Sequence, residues 1–340
     1  MEAESVDSIP VGMNWEYEPK WDGFRCLTFR DQANVDLQSK SGQPLARYFP
    51  DIVKAVLDIS AEQFVLDGEI LIVTGKRLIS FEDLLLRIHP ASSRVKTLAE
   101  TTPATLMVFD LLLDDKGRSL VDQPLKERRE KLERFAARYF KPGGQVLLSP
   151  RTLDIKQARI WLAKAGGGLD GVIAKRLDLP YLSGERKGME KIKKIRSADC
   201  VVGGFRYASQ GKLLGSLLLG LYDHEGLLHH VGFTSSLSTS EKEKVTLRLE
   251  KLIKEPGFTG KAPGGPSRWS TKRSSEWIPL DPRLVVEIEY DHFSEGRFRH
   301  GTKLVRFRPD KDPRHCTFAQ VTESRKGSNI LRQALAGKIS

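Results

Sequence analysis

The sequence predicts an α+β protein with two domains, in which a mixed domain of strands and helices precedes a small β-barrel. Its length of 340 residues accommodates two hydrophobic cores, since a domain usually takes roughly 100–200 residues. Hydrophobic residues make up 39% and charged residues 29% of the chain, the balance of a globular protein. Helical and strand patterns mix before residue 197, and strands dominate after it. We therefore expect domains at 1–197 and 198–325, followed by a tail at 326–340.

The elements of the first domain are predicted from hydrophobic periodicity. Strands are expected at residues 24–29, 35–38, 64–73, 104–112 and 170–175. The strand at 64–73 is expected to be broken by Asp67-Gly68-Glu69. Helices are expected at 49–59, 122–139 and 155–165, the last of which ends at the triple glycine 166–168.

Closely spaced strands characterise the second domain, which should begin near residues 196–199, after the basic run 191–196. Strands are expected at 200–207, 216–222, 227–234, 285–293 and 305–308, with a helix at 240–253 and a Pro/Gly-rich loop at 255–268. Five short strands with one helix are typical of a small barrel, and an OB-fold is the leading candidate.

Charge is unevenly distributed along the chain, which carries a net +11. Residues 1–200 hold 32 Lys and Arg against 29 Asp and Glu, a net of +3, and residues 201–340 hold 23 against 15, a net of +8. This distribution suits a polyanionic partner gripped mainly by the second half, although many soluble proteins are mildly basic without any such partner.

Composition also argues against several classes of protein. The sequence shows no apolar run of about 20 residues, as a membrane span requires, and no pattern of a signal peptide. Its three cysteines, Cys26, Cys200 and Cys316, are too scattered for a disulfide framework or a zinc site. We expect a cytoplasmic, nucleoid-associated protein.

The most informative motif is Glu18-Pro-Lys-Trp-Asp-Gly-Phe-Arg25, which contains Lys-x-Asp-Gly-x-Arg. A lysine acts as a covalent nucleophile when burial or neighbouring cations favour its neutral amine. Arg25 supplies a fixed fork of donors for a ribose or a phosphate. The simpler interpretation is an exposed Lys20 in a polar turn, since short motifs match by chance.

Four further clusters follow in order. Asp67 and Glu69 suit Mg²⁺ or ribose hydroxyls. Phe109, within Met107-Val-Phe-Asp110, could stack on a base. Taken alone, the first cluster is more often a simple turn, and Phe109 is more often an ordinary core residue. The remaining two clusters lie on predicted strands: Asp170 and Lys175 on one, and Lys191 and Lys193 on the other. Lys191 and Lys193 lie on the same face of their strand, as binding a phosphate would require.

In this order, these motifs resemble the covalent nucleotidyltransferase superfamily, and most closely the minimal bacterial ATP-dependent DNA ligases of the C type. The resemblance extends over about residues 8–322 and includes the segments 47–50, 87–90, 198–205 and 298–311. It implies an adenylation domain with antiparallel sheets and flanking helices, followed by an OB-fold barrel.

The resemblance also implies a role for each matching residue. Lys20 would become the lysyl-adenylate. The nucleotide-binding roles implied are adenine recognition by Glu18 and Phe109, ribose binding by Arg25 and Glu69, nucleotide binding by Lys175, and α-phosphate contact by Lys191 and Lys193. The remaining implied roles are metal contact by Asp67, Glu69 and Asp170, pyrophosphate orientation by Arg306, Arg308, Asp310 and Lys311, and DNA contact by Lys40 and Arg47. Three positions depart from the family pattern: Asp170 replaces glutamate, Met189 replaces tryptophan, and Lys40 replaces arginine. The shorter side chain of Asp170 leaves open whether it would ligate metal directly or through water.

The implied activity is sealing of 3′-OH/5′-phosphate nicks in duplex DNA, in DNA repair, with ATP as donor and Mg²⁺ or Mn²⁺ as metal. We expect a monomer without membrane attachment that acts on nicked duplex DNA, with a repair polymerase or an end-binding protein as candidate partners; the sequence does not indicate which of them, if either, recruits the chain. Because the sequence begins only 19 residues before Lys20, we expect no large helical DNA-binding domain. The alternatives are an RNA ligase, a GTP-dependent capping enzyme, and a non-catalytic DNA-end-binding scaffold. Segments 47–50 and 87–90 favour a DNA ligase, and an intact Lys20 argues against the scaffold.

Overall fold

The computed structural model describes residues 1–74, 77–78, 81–166, 169–264, 276–299 and 301–322. The chain divides into two compact units, the first starting at Met1 and running to Lys194, and the second starting at Ile195. The predicted tail at 326–340 lies outside the described residues, as do part of the triple glycine and the end of the Pro/Gly-rich loop. Within the described ranges, no helix has the length and apolarity needed to cross a membrane.

The first unit contains two sheets and flanking helices. Its strands are β1 (Glu4–Ser5), β2 (Trp15–Trp21), β3 (Phe24–Asp31), β4 (Asn34–Ser39), β5 (Gln63–Thr74), β6 (Arg77–Leu78), β7 (Ala104–Leu113), β8 (Val146–Leu148), β9 (Leu169–Arg176) and β10 (Met189–Lys193). Its helices are α1 (Pro50–Leu57), α2 (Phe81–Leu85), α3 (Ser92–Thr101), α4 (Leu125–Tyr139) and α5 (Ile155–Ala163).

Strand order places the motifs on two sheets. One sheet has the order β1-β10-β9-β2, and the other β4-β3-β5-β7-β8, with β6 paired to β5. Pairing is antiparallel except between β1 and β10 and between β7 and β8. Apolar side chains from the second sheet pack with helices α1 and α4 in one core, while β2, β9 and α5 contribute to another.

Two predicted elements of this unit are corrected by the structure. Strand β5 runs unbroken through Asp67-Gly68-Glu69. Glycine at position 68 permits close pairing, because a Cβ there would lie 2.8 Å from the carbonyl oxygen of Met107. Helix α4 begins at Leu125 rather than at residue 122, because Pro124 caps it in an extended conformation.

The second unit is a sheet of OB-fold type. Its elements are β11 (Arg196–Tyr207), β12 (Leu214–Tyr222), β13 (Leu228–Thr234), α6 (Thr239–Glu250), β14 (Ile278–Pro279), β15 (Val285–Tyr290), β16 (Phe293–Ser294), β17 (Arg297–Phe298) and β18 (Lys303–Phe307). The order is β13-β12-β11-β15-β18, with β14 paired to β11.

Two sequence expectations for this unit are also corrected. The predicted barrel is an open sheet in the part of the chain that the structure describes, where a single bridge between Thr234 and Thr302 joins the region of β13 to the start of β18. The predicted strand 285–293 is two elements, since β15 ends at Tyr290 and Phe293 opens the short β16–β17 hairpin.

Candidate active site

The end of strand β2 brings Lys20 beside two other strands that carry predicted site residues. Lys20 on β2 and Lys193 on β10 both pair with Gly171 of the intervening β9. Position 171 cannot carry a side chain, because a Cβ would lie 2.0 Å from the carbonyl oxygen of Ile192. The glycine therefore allows the close approach that gathers the two lysines.

Asp170 is the counter-ion of this lysine group. Lys20 Nζ donates to Asp170 Oδ2 at 2.6 Å, and Lys193 Nζ lies 3.4 Å from the same oxygen. The pKa of Lys191 is lowered, first by burial and then by the positive charges of Lys20 and Lys193. Crowded ammonium groups around one carboxylate form a site for a phosphate group.

Arg25 is held by a buried carboxylate on the second sheet. Its Nε and Nη2 atoms donate to the two oxygens of Asp67 at 3.0 and 2.6 Å. Tyr181 Oη donates to Asp67 Oδ2 at 2.8 Å, and Arg25 Nη1 donates to the Met1 carbonyl at 2.5 Å. Asp67 therefore fixes the direction of the guanidinium. The sequence reading missed Tyr181, which lies in a loop without a periodic signal.

A β-bulge exposes Phe109. Asp67 pairs with Asp110 and Gly68 with Val108, so Phe109 is the extra residue of β7. It is only half-buried, although most of the strand around it is buried. Lys175 Nζ lies 4.5 Å from the ring centroid and Arg25 Cζ 5.7 Å from it. One aromatic ring and two cations thus lie together in the first unit.

Glu18 lies in a buried ion-pair network. Its carboxylate is 2.8 Å from Lys175 Nζ and accepts a hydrogen bond from Arg129 at 3.4 Å. Two residues before it on the same strand, Glu16 pairs with Arg151 at 3.3 Å. Arg129 and Arg151 were absent from the sequence prediction, because a charged helix and a loop arginine are normally solvent-exposed.

The carboxylates fit a divalent cation only in part. The described residues hold no group of three or more His, Cys, Asp or Glu side chains arranged for a metal. Both oxygens of Asp67 are engaged by Arg25, so this residue positions the arginine and does not fit the predicted role of a metal ligand. Glu69 and Asp170 fit better by position, since both lie beside Lys20, the predicted nucleophile. One or two carboxylates completed by substrate phosphates and water are a common Mg²⁺ arrangement.

The carboxyl group of Glu69 has a raised pKa and lies near two cations, Lys20 and Arg25. It is half-buried and accepts a hydrogen bond from the Gly23 N–H at 3.2 Å. Desolvation raises its pKa to about 7, against the opposing effect of Lys20 and Arg25. A cation beside it would stabilise the ionised form.

The two predicted DNA-contact residues are exposed. Lys40 Nζ lies 3.1 Å from Glu2, and Lys40 also lowers the pKa of Lys191. Arg47 donates to the Pro90 carbonyl at 3.2 Å. The contact from Arg47 joins two segments, 47–50 and 87–90, that the sequence had singled out separately.

The predicted cations of the second unit form ion pairs on β18 and just after it. Arg306 Nε donates to Glu287 at 2.7 Å, Arg308 contacts Asp310 at 2.8 Å, and Lys311 lies 3.4 Å from Asp199.

Models of two protein families match this chain. The ATP dependent DNA ligase domain matches residues 1–193, and the ATP dependent DNA ligase C terminal region matches residues 210–311. Together the two matched regions leave few residues of the two described units uncovered.

Relatives with curated names agree with the family models. The chain is 41% identical to DNA ligase C2 of Mycolicibacterium smegmatis, over 97% of this chain and 96% of that protein. It is 30% identical to the multifunctional non-homologous end joining DNA repair protein LigD of Mycobacterium tuberculosis, over 88% of this chain and 37% of that protein. A solved Lig E DNA ligase shares the fold, with a TM-score of 0.54, 15% identity, and coverage of 91% of this chain and 100% of that chain.

Proposed function

The chain belongs to the ATP-dependent DNA ligases, and from that premise we propose that Lys20 is the residue that receives AMP. The observation that carries this assignment is the contact of Lys20 Nζ with Asp170 Oδ2 at 2.6 Å, in a site shared with Lys193. The protein is a DNA ligase that uses ATP, and we propose below which of its side chains act in each of the three transfer steps.

In the first step, the neutral amine of Lys20 attacks the α-phosphorus of ATP. A P–N bond forms as the nitrogen releases one proton to solvent, the bond from the α-phosphorus to the bridging oxygen breaks, and pyrophosphate leaves with the bond electrons. Lys191 and Lys193 neutralise the α-phosphate as charge shifts, a task for fixed cations in phosphoryl-type transfers. Arg306, Arg308 and Lys311 act on the departing pyrophosphate.

In the second and third steps, AMP moves from Lys20 to the 5′-phosphate of a nick, and the 3′-hydroxyl then displaces AMP. Lys191 and Lys193 serve in both, because the phosphate that they contact persists. Phe109 stacks on the adenine, Glu18 and Lys175 line its pocket, and Arg25, fixed by Asp67, binds the ribose together with Glu69.

Metal and DNA complete the proposal. Glu69 and Asp170 would hold Mg²⁺ (or Mn²⁺), which supplies electrostatic stabilisation of the phosphate charge. Lys40 and Arg47 contact DNA phosphates, and the more basic second unit supplies further grip. We assign the transfer chemistry and the DNA contacts of Lys40 and Arg47 to the first unit, and pyrophosphate handling and the further grip on DNA to the second.

The cellular role that we propose is DNA repair. The relative at 30% identity is named for non-homologous end joining and DNA repair, which supports an end-joining context with an end-binding protein or a repair polymerase as partner. The protein would then act as a cytoplasmic, nucleoid-associated monomer. The RNA ligase, capping enzyme and scaffold alternatives are not favoured by the DNA ligase matches.

The test of the nucleophile is covalent labelling with ATP carrying a labelled α-phosphate. Lys20→Ala and Lys20→Arg should both abolish the acid-labile adenylate, since arginine keeps the charge but remains protonated. Lys187→Ala is the matched control, because Lys187 is exposed on the segment before β10 and should label normally. Retention of label in Lys20→Ala would show that another group is the nucleophile.

A further inference from the structure

Two acidic residues face each other across neighbouring strands of the second unit. Asp199 on β11 pairs in register with Glu287 on β15, and Glu287 pairs with Arg306 on β18. Like charges directly opposite each other destabilise a sheet. The pair of acids therefore needs cations beside it, and the sequence supplies them from the motif at 298–311.

Arg308 and Lys311 converge on Asp199. Arg308 Nη1 lies 3.0 Å from Asp199 Oδ1 and 3.8 Å from Glu287 Oε2. Lys311 Nζ lies 3.4 Å from Asp199 Oδ2. The side chain of Asp199 is 12% exposed and that of Arg308 is 18% exposed, so this contact is better sheltered from solvent than a typical surface ion pair.

The backbone of Asp199 is also fixed. Its N–H donates to Gln320 Oε1 at 3.0 Å, and Gln320 Nε2 donates to its carbonyl at 3.2 Å. Asp310, in contrast, is 62% exposed. Asp199 is therefore the anchored member of the cluster, with one oxygen directed at each of two cations.

We propose that Asp199 is a positioning residue for self-adenylation, which sets the spacing and direction of Arg308 and Lys311 before pyrophosphate forms. Arginine and lysine side chains lose rotamer freedom when they bind an anion. A carboxylate that already fixes both reduces that loss and prepares the cations for the transition state. This inference rests on the proposed role of Arg308 and Lys311 in the first step.

The charges within this cluster balance. Asp199, Glu287 and Asp310 match Arg306, Arg308 and Lys311 one for one. The cations are held without net repulsion, and a pyrophosphate arriving in the cluster would find them already oriented. Within the described residues, loss of Asp199 removes the carboxylate with which Lys311 pairs, while Arg308 keeps Asp310 as its partner.

The experiment compares Asp199→Ala and Asp199→Asn with the wild-type protein in three assays. These are self-adenylation from ATP, reversal of the adenylate by added pyrophosphate, and sealing of a nick that already carries its 5′-adenylate. Self-adenylation should fall roughly ten- to hundredfold in Asp199→Ala, the range expected for hydrogen bonds to charged groups. Half-maximal reversal should need more pyrophosphate, and sealing of the pre-adenylated nick should stay within about twofold, since no pyrophosphate takes part.

The matched control is Asp281→Ala. Asp281 also holds two cations in the same unit, with Arg283 at 2.8 Å and Lys254 at 3.6 Å, but neither belongs to the proposed machinery. All three activities should be unchanged in it. Asp199→Asn keeps the shape of the side chain and should lose less self-adenylation activity, but with the same selectivity. It therefore tests the positioning role even if Asp199→Ala unfolds.

Lys311→Ala separates a failure of this inference from a failure of the proposed function. If Lys311→Ala impairs sealing of the pre-adenylated nick as much as self-adenylation, the assignment of these cations to the first step is wrong. If Lys311→Ala is selective but Asp199→Asn matches the wild type, or loses all three activities equally with a lower melting temperature, then Asp199 has no positioning role.

Discussion

At the scale of single residues, the partner of a functional side chain decides what that side chain can do. Asp67 is fully buried and accepts from Arg25 and Tyr181. A buried carboxylate that is paired in this way is an anchor, because removing either partner leaves an unmatched polar group. Asp67 and Glu69, two residues apart, therefore have different surroundings: Asp67 is bonded to Arg25 and Tyr181, and Glu69 accepts from the Gly23 N–H.

Tyr181→Phe tests the anchor. Loss of the hydroxyl removes one hydrogen bond to Asp67 and loosens Arg25, so ATP should bind about fivefold more weakly, equivalent to ~1 kcal/mol. The measurement is calorimetric titration of ATP into the Lys20→Ala variant and into the Lys20→Ala/Tyr181→Phe double variant. The Lys20→Ala substitution prevents turnover during the titration. Tyr207→Phe is the control, because its hydroxyl bonds Glu250 at 3.0 Å in the second unit. Equal affinities for all three proteins would contradict a role for Tyr181.

At the scale of elements, strand β2 presents three charged side chains on one face, at positions 16, 18 and 20, while Tyr17 and Trp21 face the core. Glu16 and Glu18 are both buried. Arg129, Arg151 and Lys175 reach them from α4, from the loop after β8 and from β9. The strand that ends at Lys20 and Trp21 therefore carries a buried ion-pair network along the preceding residues.

Glu16 makes stability depend on pH. Its pKa is raised from 4.5 to about 7, first by burial and then by Glu18, with Arg129, Lys175 and Arg151 opposing. Since the folded state holds this proton more tightly than the unfolded state, stability falls as pH rises from 4.5 towards 7 and then levels off. Glu16→Gln should therefore gain stability relative to wild type between pH 5 and pH 8, by an amount on the order of 1–3 kcal/mol.

The measurement is the free energy of unfolding by denaturant at pH 5, 6, 7 and 8. Glu133→Gln is the control with the opposite electrostatics, because Arg151 and Arg129 lower the pKa of Glu133 below 4.5 against desolvation. Its difference from wild type should stay constant across this range, since Glu133 is ionised throughout. A constant difference for Glu16→Gln as well would mean that Glu16 is ionised at pH 5.

At the scale of the whole molecule, charge is concentrated in residues 201–340, which carry +8 of the net +11. If ~4–6 DNA phosphates are neutralised, affinity for a nicked duplex should fall roughly 10²–10³-fold between ~50 and ~200 mM salt. Fluorescence anisotropy with a labelled nick measures this slope. Lys40→Ala should weaken DNA binding and reduce the slope of log affinity against log salt concentration by about 1, as expected for the loss of one phosphate contact. A flat salt response would contradict electrostatic binding.

The sequence by itself determined which chemistry this chain carries. An ordered series of local motifs contains the predicted site residues Lys20, Arg25, Asp67, Glu69, Phe109 and Asp170. The positions of strands and helices follow from short-range periodicity. Nearest-neighbour patterns encode these features because side-chain direction and backbone preference act over a few residues.

Tertiary structure alone decided which of these groups meet. Lys20 and Asp170 are 150 residues apart, Glu18 and Arg129 are 111 apart, and nothing local to any of them specifies the partner. Strand register and the bulge at Phe109 set those contacts, and they direct the buried carboxylate of Asp67 at Arg25. Asp199 had no predicted role until β11 and β15 were paired, because the energy of an ion pair depends on distance and burial, which only the folded chain defines.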